Sequence, residues 1–200
     1  MHNEKQVWYI VSKDDLPKQY PTHKHESAFW ECLGRAIATF GFLEEVLSRA
    51  IFSFTATRLY SDSEIQQAYD EWLPKLERAL NDTLGHLIIT YEKSVRDNPM
   101  ATIENIDELV MYLKEASKIR NVLCHGSWRL PDSSGASIPF FVNRQKEVFE
   151  TAIDCQFIDK VQKHTAELIC EVVNTVTHMG WQFPGSNGPG KVIWDNPYQT

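Results

Sequence analysis

The sequence predicts an all-α protein, an antiparallel four-helix bundle with a short loop or β-hairpin inserted before the last helix. Three observations support this fold class. Apolar residues recur at spacings of three and four along four stretches of the chain, which is the period of an amphipathic helix. Most connections between these stretches are short, which favours antiparallel neighbours. With 42% hydrophobic, 24% charged and 12% aromatic residues, the 200-residue chain is typical of a globular protein with one sizeable core.

The first predicted helix spans about 27–57, after an N-terminal arm that we expect to be extended over residues 1–25. Ser27 is the candidate N-cap residue. A sustained stripe with alternating spacings of four and three makes this the strongest helix of the chain. Its members are Phe29, Leu33, Ala36, Phe40, Leu43, Leu47, Ala50 and Phe54.

The second predicted helix opens at Ser61, since Ser61 and Glu64 have the spacing of a capping box. Pro74 interrupts the pattern, so either the helix kinks there or a fresh helix starts with Pro74 at its first position. Helical spacing then continues to about residue 96, and Asn98-Pro99 ends it.

The third predicted helix opens at Asn105 and stops at Gly126. Turn-forming residues and a short apolar run over about 127–150 predict the inserted loop or hairpin. The last helix is predicted from about 153 to Gly180. The resulting organisation is an arm over 1–25, a helical bundle domain over 26–180 and a flexible C-terminal tail over 181–200.

Charge and cysteine content exclude several function classes. Twenty Lys and Arg against 27 Asp and Glu give a formal charge of −7, so any contact with nucleic acid must be local. The four cysteines form no C-x-x-C pair, which argues against a zinc site and indicates thiols in a reducing compartment. No signal-like N-terminus and no run of 18 apolar residues occur. We therefore expect a soluble cytoplasmic protein that does not associate with membranes.

One charge interrupts the apolar side of the third helix. Arg120 lies 14 positions after Ile106 and seven after Leu113, which places it close to the inward stripe. An arginine there must be paired, or must line a cleft or an interface. Asn121 follows directly, and His125 lies five residues beyond Arg120.

The stretch Arg120-Asn121-x3-His125 resembles the signature of HEPN domains, the higher eukaryotes and prokaryotes nucleotide-binding family. That signature is Arg, a polar residue that is usually Asn, Asp or His, three variable residues and His, near the end of a bundle helix. Members are mostly dimeric helical bundles, and many are metal-independent ribonucleases that act as toxins, antiviral effectors or RNA-processing enzymes. The resemblance implies that Arg120, Asn121 and His125 are catalytic and that two copies of the site meet in a homodimer.

The residue types suit this chemistry. Metal-independent RNA cleavage requires a base for the ribose 2′-OH, a fixed cation for the phosphorane and a proton donor for the leaving oxygen. Histidine fits the first or third task, and arginine fits the second. Residues five apart on a helix point about 140° away from each other, so one copy of Arg120 and His125 is insufficient and a two-fold dimer is expected. Asn121, one turn before His125, would orient the imidazole or contact phosphate.

Two further residues are candidates for supporting roles. Glu44 lies on an otherwise apolar flank of the first helix, where it is either the partner of Arg120 or a residue at the solvent edge. Trp128, with Phe140 and Phe141, either stacks on RNA bases or packs in the core.

The leading hypothesis is a homodimeric endoribonuclease without cofactor or metal, which cuts single-stranded or loop RNA to a 2′,3′-cyclic phosphate in defence or stress. Three alternatives stay open. The first is a non-catalytic module for dimerisation or nucleotide binding. The second is a helical interaction protein with an accidental motif, which predicts Arg120 in an internal salt bridge and His125 exposed alone. The third is a component controlled by a regulatory or antitoxin partner chain, which the −7 charge favours.

Overall fold

The chain folds as a helical bundle, as predicted. The computed structural model describes residues 9–58 and 82–186, together with Ser61, Gln66, Gln67, Asp70 and Pro74. Among these residues, no helix combines the length and apolarity needed to cross a membrane. The predicted helix that opens at Ser61 lies mostly outside the described residues. The four described helices are α1 (Ser27–Ala56), α2 (Leu84–Arg96), α3 (Ile106–His125) and α4 (Cys155–Thr177).

A single core joins the four helices, and α1 lies at its centre in contact with the other three. All eight residues of the predicted α1 stripe are buried, which confirms the heptad interpretation. The core also contains a buried polar link, because the Tyr91 hydroxyl on α2 lies 2.8 Å from Thr175 Oγ1 on α4. Other fully buried side chains include Leu87, Ile88, Leu113, Leu123, Ile158 and Val172.

The relative direction of α1 and α3 brings the candidate site to one end of the bundle. Glu44, midway along α1, contacts Arg120 near the end of α3. Phe29, near the start of α1, packs against Trp128 just beyond the end of α3. The two helices are therefore antiparallel, and the last turn of α3 lies beside the first half of α1.

The predicted span of about 27–57 is confirmed for α1, but Ser27 is not its N-cap residue. Glu26, not Ser27, occupies the N-cap position of α1, and Ser27 is the first helical residue. The sequence predicts helical spacing without a break from Pro74 to about residue 96, but α2 begins at Leu84. Thr83 is extended there (φ −68°, ψ 151°) and its carbonyl accepts the N–H of Leu87 at 3.0 Å. Asp82 and Thr83 are residue types whose side chains compete with helical hydrogen bonds, which explains a helix boundary at this point.

The chain at both ends of the bundle differs from the prediction. The arm contains two short 3-10 helices, Lys13–Asp15 and Thr22–Lys24, where we expected extended chain. α4 ends at Thr177, before the predicted end at Gly180, whose φ of 75° is left-handed. Phe183 beyond it is buried, so the core extends into the segment that we predicted to be a flexible tail. Residues 187–200 lie outside the described part of the chain.

The insertion contains an antiparallel ribbon, which we define as residues 137–153. It fits the predicted loop or hairpin, and its pairing consists of isolated bridges rather than regular strands in the part of the chain described. The ribbon lies between α3 and α4 in the sequence, and the bridge between Ser127 and Phe140 attaches it to the residues that follow α3, so it borders the candidate site. The bridged pairs are Ser137 with Ile153, Val142 with Val148 and Ser127 with Phe140.

Candidate functional site

Arg120 is half-buried and held by an ion pair between helices. Its Nη2 donates to Glu44 Oε1 at 3.1 Å, and the two side chains are 24% and 26% exposed. Its Nη1 donates to Asn121 Oδ1 at 3.4 Å. The structure thus places Glu44 as the partner of Arg120 and not as a residue free at the solvent edge. These contacts fix the guanidinium and use two of its five N–H donors.

His125 is the last residue of α3 and is exposed. Within residues 9–58 and 82–186 its imidazole makes no hydrogen bond or ion pair. The next residue, Gly126, ends the helix by donating its N–H to the Val122 carbonyl at 2.8 Å. A side chain at Gly126 would place its Cβ 2.6 Å from that carbonyl oxygen and 2.8 Å from Pro139 Cβ. A glycine is therefore needed for the chain to turn into the insertion directly after His125.

Cys124 lies between Arg120 and His125 but is not suited to act as a nucleophile. Burial raises the pKa of its thiol. The charge of Arg120 lowers this pKa by less than burial raises it, and the charge of Glu44 adds to the rise. The thiol therefore stays protonated at neutral pH, and thiols react as thiolates.

Trp128 packs against the start of α1. Its ring centroid lies 4.8 Å from that of Phe29 and 6.1 Å from that of His25, both edge to face. His25 in turn stacks on Phe29 at 4.3 Å. These contacts give Trp128 a packing role at the rim of the core, while stacking on RNA stays a prediction.

The structure distinguishes the two neighbouring phenylalanines of the ribbon. Phe141 packs against the core, whereas Phe140 is 52% exposed. The guanidinium of Arg129, a residue that no sequence motif marks, lies over the Phe140 ring with Cζ 5.1 Å from the centroid. The alternation of Ile138, Phe140 and Val142 is the signal from which an outward face could have been predicted.

The side chains gathered at this end of α3 suit an anion better than a metal ion. A guanidinium, an amide and an imidazole are donors for phosphate oxygens. Among the residues that the structure describes, no three His, Cys, Asp or Glu side chains are close enough together to hold a metal ion.

Comparison of the chain with protein-family models, curated proteins and solved structures finds no match. The resemblance to HEPN domains therefore stands on Arg120, Asn121 and His125 and on the helical bundle that carries them.

Proposed function

We propose that this protein is a metal-independent endoribonuclease of HEPN type that acts as a homodimer. One observation carries the proposal. The last two turns of α3 present a guanidinium fixed by Glu44 and an exposed imidazole, in the order Arg120-Asn121-x3-His125. The substrate is RNA, and the product carries a 2′,3′-cyclic phosphate.

Each residue has a defined task in the proposed reaction. One His125 imidazole accepts the proton of the ribose 2′-OH, and O2′ forms a bond to phosphorus as the P–O5′ bond breaks. A second, protonated imidazole gives its proton to O5′. Arg120 stabilises the charge on the phosphorane, and because Glu44 already holds the guanidinium, little reorganisation is needed during the reaction. Asn121 accepts from Arg120 through Oδ1, which leaves its NH2 group to donate to phosphate or to His125.

Two features support a dimeric site. Within one chain the Arg120 guanidinium faces α1, whereas His125 faces solvent, so the two groups do not converge on one phosphate. On α1, Ile37 lies within about 20° of Glu44 around the helix axis and is 37% exposed. In the proposed dimer, a second copy covers Ile37 and supplies its own His125 to Arg120.

The second candidate function is a non-catalytic dimerisation or nucleotide-binding module. The Arg120–Glu44 pair favours it, because the carboxylate offsets the charge that a phosphate would use. An internal salt bridge on Arg120 and a solitary exposed His125 are also what an accidental motif in an interaction protein predicts. Control by a regulatory or antitoxin partner would act on the same pair, by changing whether Glu44 or phosphate holds Arg120.

The cleavage test uses purified protein, mixed RNA and EDTA, followed by mapping of the product ends. His125→Ala and Arg120→Ala should each lower the rate about 10²–10⁴-fold, and Asn121→Ala should lower it less. His164→Ala, which removes an exposed histidine from α4, is the matched control and should leave the rate unchanged. Cleavage that needs added metal, leaves a 5′-phosphate or persists in His125→Ala contradicts the mechanism. Absence of cleavage in an intact dimer favours the second candidate.

The dimer test measures mass by sedimentation, where we expect about twice 23.1 kDa. Ile37→Glu should dissociate the dimer and abolish cleavage together. Phe42→Glu is the matched control, because Phe42 is 52% exposed but lies about 160° from Glu44 around α1. A fully active monomer would exclude the composite site.

A further inference from the structure

The outward face of the ribbon places one exposed aromatic ring beside the candidate site. Phe140 and Ser127 exchange two backbone hydrogen bonds of 2.9 Å, and Ser127 follows His125 by two residues. From these links, the Cα atoms of Phe140 and His125 are at most about 13 Å apart. The backbone of Phe140 is thus fixed near the imidazole while its side chain stays half exposed.

Arg129 gives this ring a cationic neighbour. Its guanidinium lies over the Phe140 ring at 5.1 Å, within the range of a cation–π contact. The Ser137 hydroxyl donates to the Arg129 carbonyl at 2.9 Å, which ties the backbone of Arg129 to the ribbon. The backbones of Phe140 and Arg129 are therefore both held by hydrogen bonds, and their side chains project from this fixed part of the insertion.

Three exposed cations of the insertion are available to contact an anionic ligand. Arg129, Arg144 and Lys146 are exposed, and none of them forms an ion pair with any residue of the described ranges. Two of the nearby carboxylates already have partners. The amide of Asn143 donates to Glu147 Oε2 at 2.6 Å. Asp132 Oδ1 accepts from the backbone N–H and the hydroxyl of Ser134, and these bonds lower the pKa of Asp132.

We propose that Phe140 and Arg129 form a stacking platform for a base of single-stranded RNA, which positions the adjacent phosphate at the composite site that Arg120 and His125 form in the proposed dimer. RNA as the ligand rests on the proposed function. An unpaired base stacks on any aromatic ring, and the nearby cations contact its phosphates. A platform of this kind binds by stacking more than by charge, which suits a chain of net charge −7. It also requires unpaired bases, so duplex RNA is excluded.

One carboxylate opposes this ligand. The register set by the pairs Ser137 with Ile153 and Val142 with Val148 places Glu150 opposite Phe140, on the same outward face. Glu150 should therefore repel a phosphate bound beside Phe140. Because the Glu150→Gln substitution removes this negative charge, it should strengthen RNA binding.

The experiment measures binding of fluorescein-labelled oligouridylate and oligoadenylate by anisotropy in EDTA. The full chain carries His125→Ala, so that no probe is cleaved. Phe140→Ala should weaken binding about 5- to 140-fold, the range expected for loss of one stacked base. Phe140→Trp should preserve binding, whereas Phe140→Leu should weaken it as Ala does, because leucine keeps apolar area but has no π face. Val148→Ala removes a comparably exposed side chain from the same face and is the matched control.

Four outcomes would overturn the platform. These are unchanged binding in Phe140→Leu, equal weakening in Val148→Ala, equal affinity for duplex RNA, and no binding of either oligonucleotide. A fall in dimer mass in Phe140→Ala with unchanged RNA affinity would instead assign this face to a protein partner. Because binding is measured without cleavage, the platform and the nuclease proposal fail independently. If the wild type cleaves RNA but substitution of Phe140 does not change RNA affinity, only the platform proposal is refuted. If RNA affinity depends on Phe140 but the wild type does not cleave RNA, only the nuclease proposal is refuted.

Discussion

The ion pair between Glu44 and Arg120 allows a quantitative test of how the candidate site is held. A double-mutant cycle uses Glu44→Gln, Arg120→Gln and the double variant, and it compares their free energies of unfolding in urea. The cycle isolates the coupling between the two side chains from their separate effects on the fold. Glutamine preserves most of the volume and hydrogen-bonding capacity at each position, so the main loss is charge.

The expected coupling follows from distance and exposure. At 3.1 Å, two unit charges attract by about 1 kcal/mol in water and about 5 kcal/mol at an effective dielectric constant of 20, before desolvation is subtracted. Measured couplings of exposed pairs are about 0.2–1 kcal/mol, and breaking a buried pair costs about 3–5 kcal/mol. Side chains that are 24% and 26% exposed lie between these limits, so we expect about 1–2 kcal/mol. If the free energy of unfolding falls by about 3 kcal/mol per molar of urea, loss of this coupling energy lowers the urea midpoint of unfolding by about 0.3–0.7 M.

A second ion pair on α1 provides the matched control. Arg35 and Glu31 are 2.6 Å apart but 65% and 63% exposed, so their cycle should give about 0.3–0.5 kcal/mol. Equal coupling in the two cycles would refute the reasoning that partial burial fixes Arg120. In the His125→Ala background, Glu44→Gln should also tighten RNA binding, because phosphate no longer competes with a carboxylate for the guanidinium.

The remaining predictions concern groups around the site and in the core. Burial lowers the pKa of His25 from its ordinary value of 6.5, so the unfolded chain binds protons more readily. Packing of His25 against Trp128 should be intact above about pH 6.5 and weaken as pH falls below it, seen as a change in tryptophan fluorescence that His25→Phe abolishes. Tyr91→Phe should lower the unfolding free energy by about 0.5–1.5 kcal/mol, since Thr175 loses one hydrogen bond but still donates to a backbone carbonyl. Cys124→Ala should leave the cleavage rate within about twofold in the end-mapping assay, because the protonated thiol takes no part.

The sequence contains enough information for those parts of the fold that depend on local periodicity. The α1 stripe from Phe29 to Phe54 is buried as predicted, because a long amphipathic pattern has one inward face in any bundle. The same periodicity identified Arg120 as a charge on an inward side, and the ion pair with Glu44 is the reason that the fold tolerates it. The pattern also placed Glu44 on a suitable flank, although only packing decides which cation it meets.

The parts that the sequence did not reveal depend on contacts between distant segments. The start of α2 at Leu84 follows an extended Thr83, which the apolar periodicity does not reveal. Burial of Phe183 depends on space left at the end of the bundle, whereas the glycine and proline that follow it in the sequence predict a flexible tail. The contact of Arg129 with Phe140 depends on the pairing register of the insertion, which the sequence predicted only as a loop or hairpin.

The charges around the site argue for a ligand that approaches from the ribbon. Glu44 offsets the charge of Arg120 on the α1 side, whereas Arg129, Arg144 and Lys146 of the insertion form no ion pair within the described ranges. A phosphate would therefore meet available positive charge on the insertion before it competes with Glu44 for the guanidinium. If this order holds, Arg129→Ala should slow RNA association, and Glu44→Gln should slow dissociation, because it strengthens only the final contact. Stopped-flow anisotropy in the His125→Ala background separates the two rates, and a faster association in Glu44→Gln would show that Arg120 makes the first contact instead.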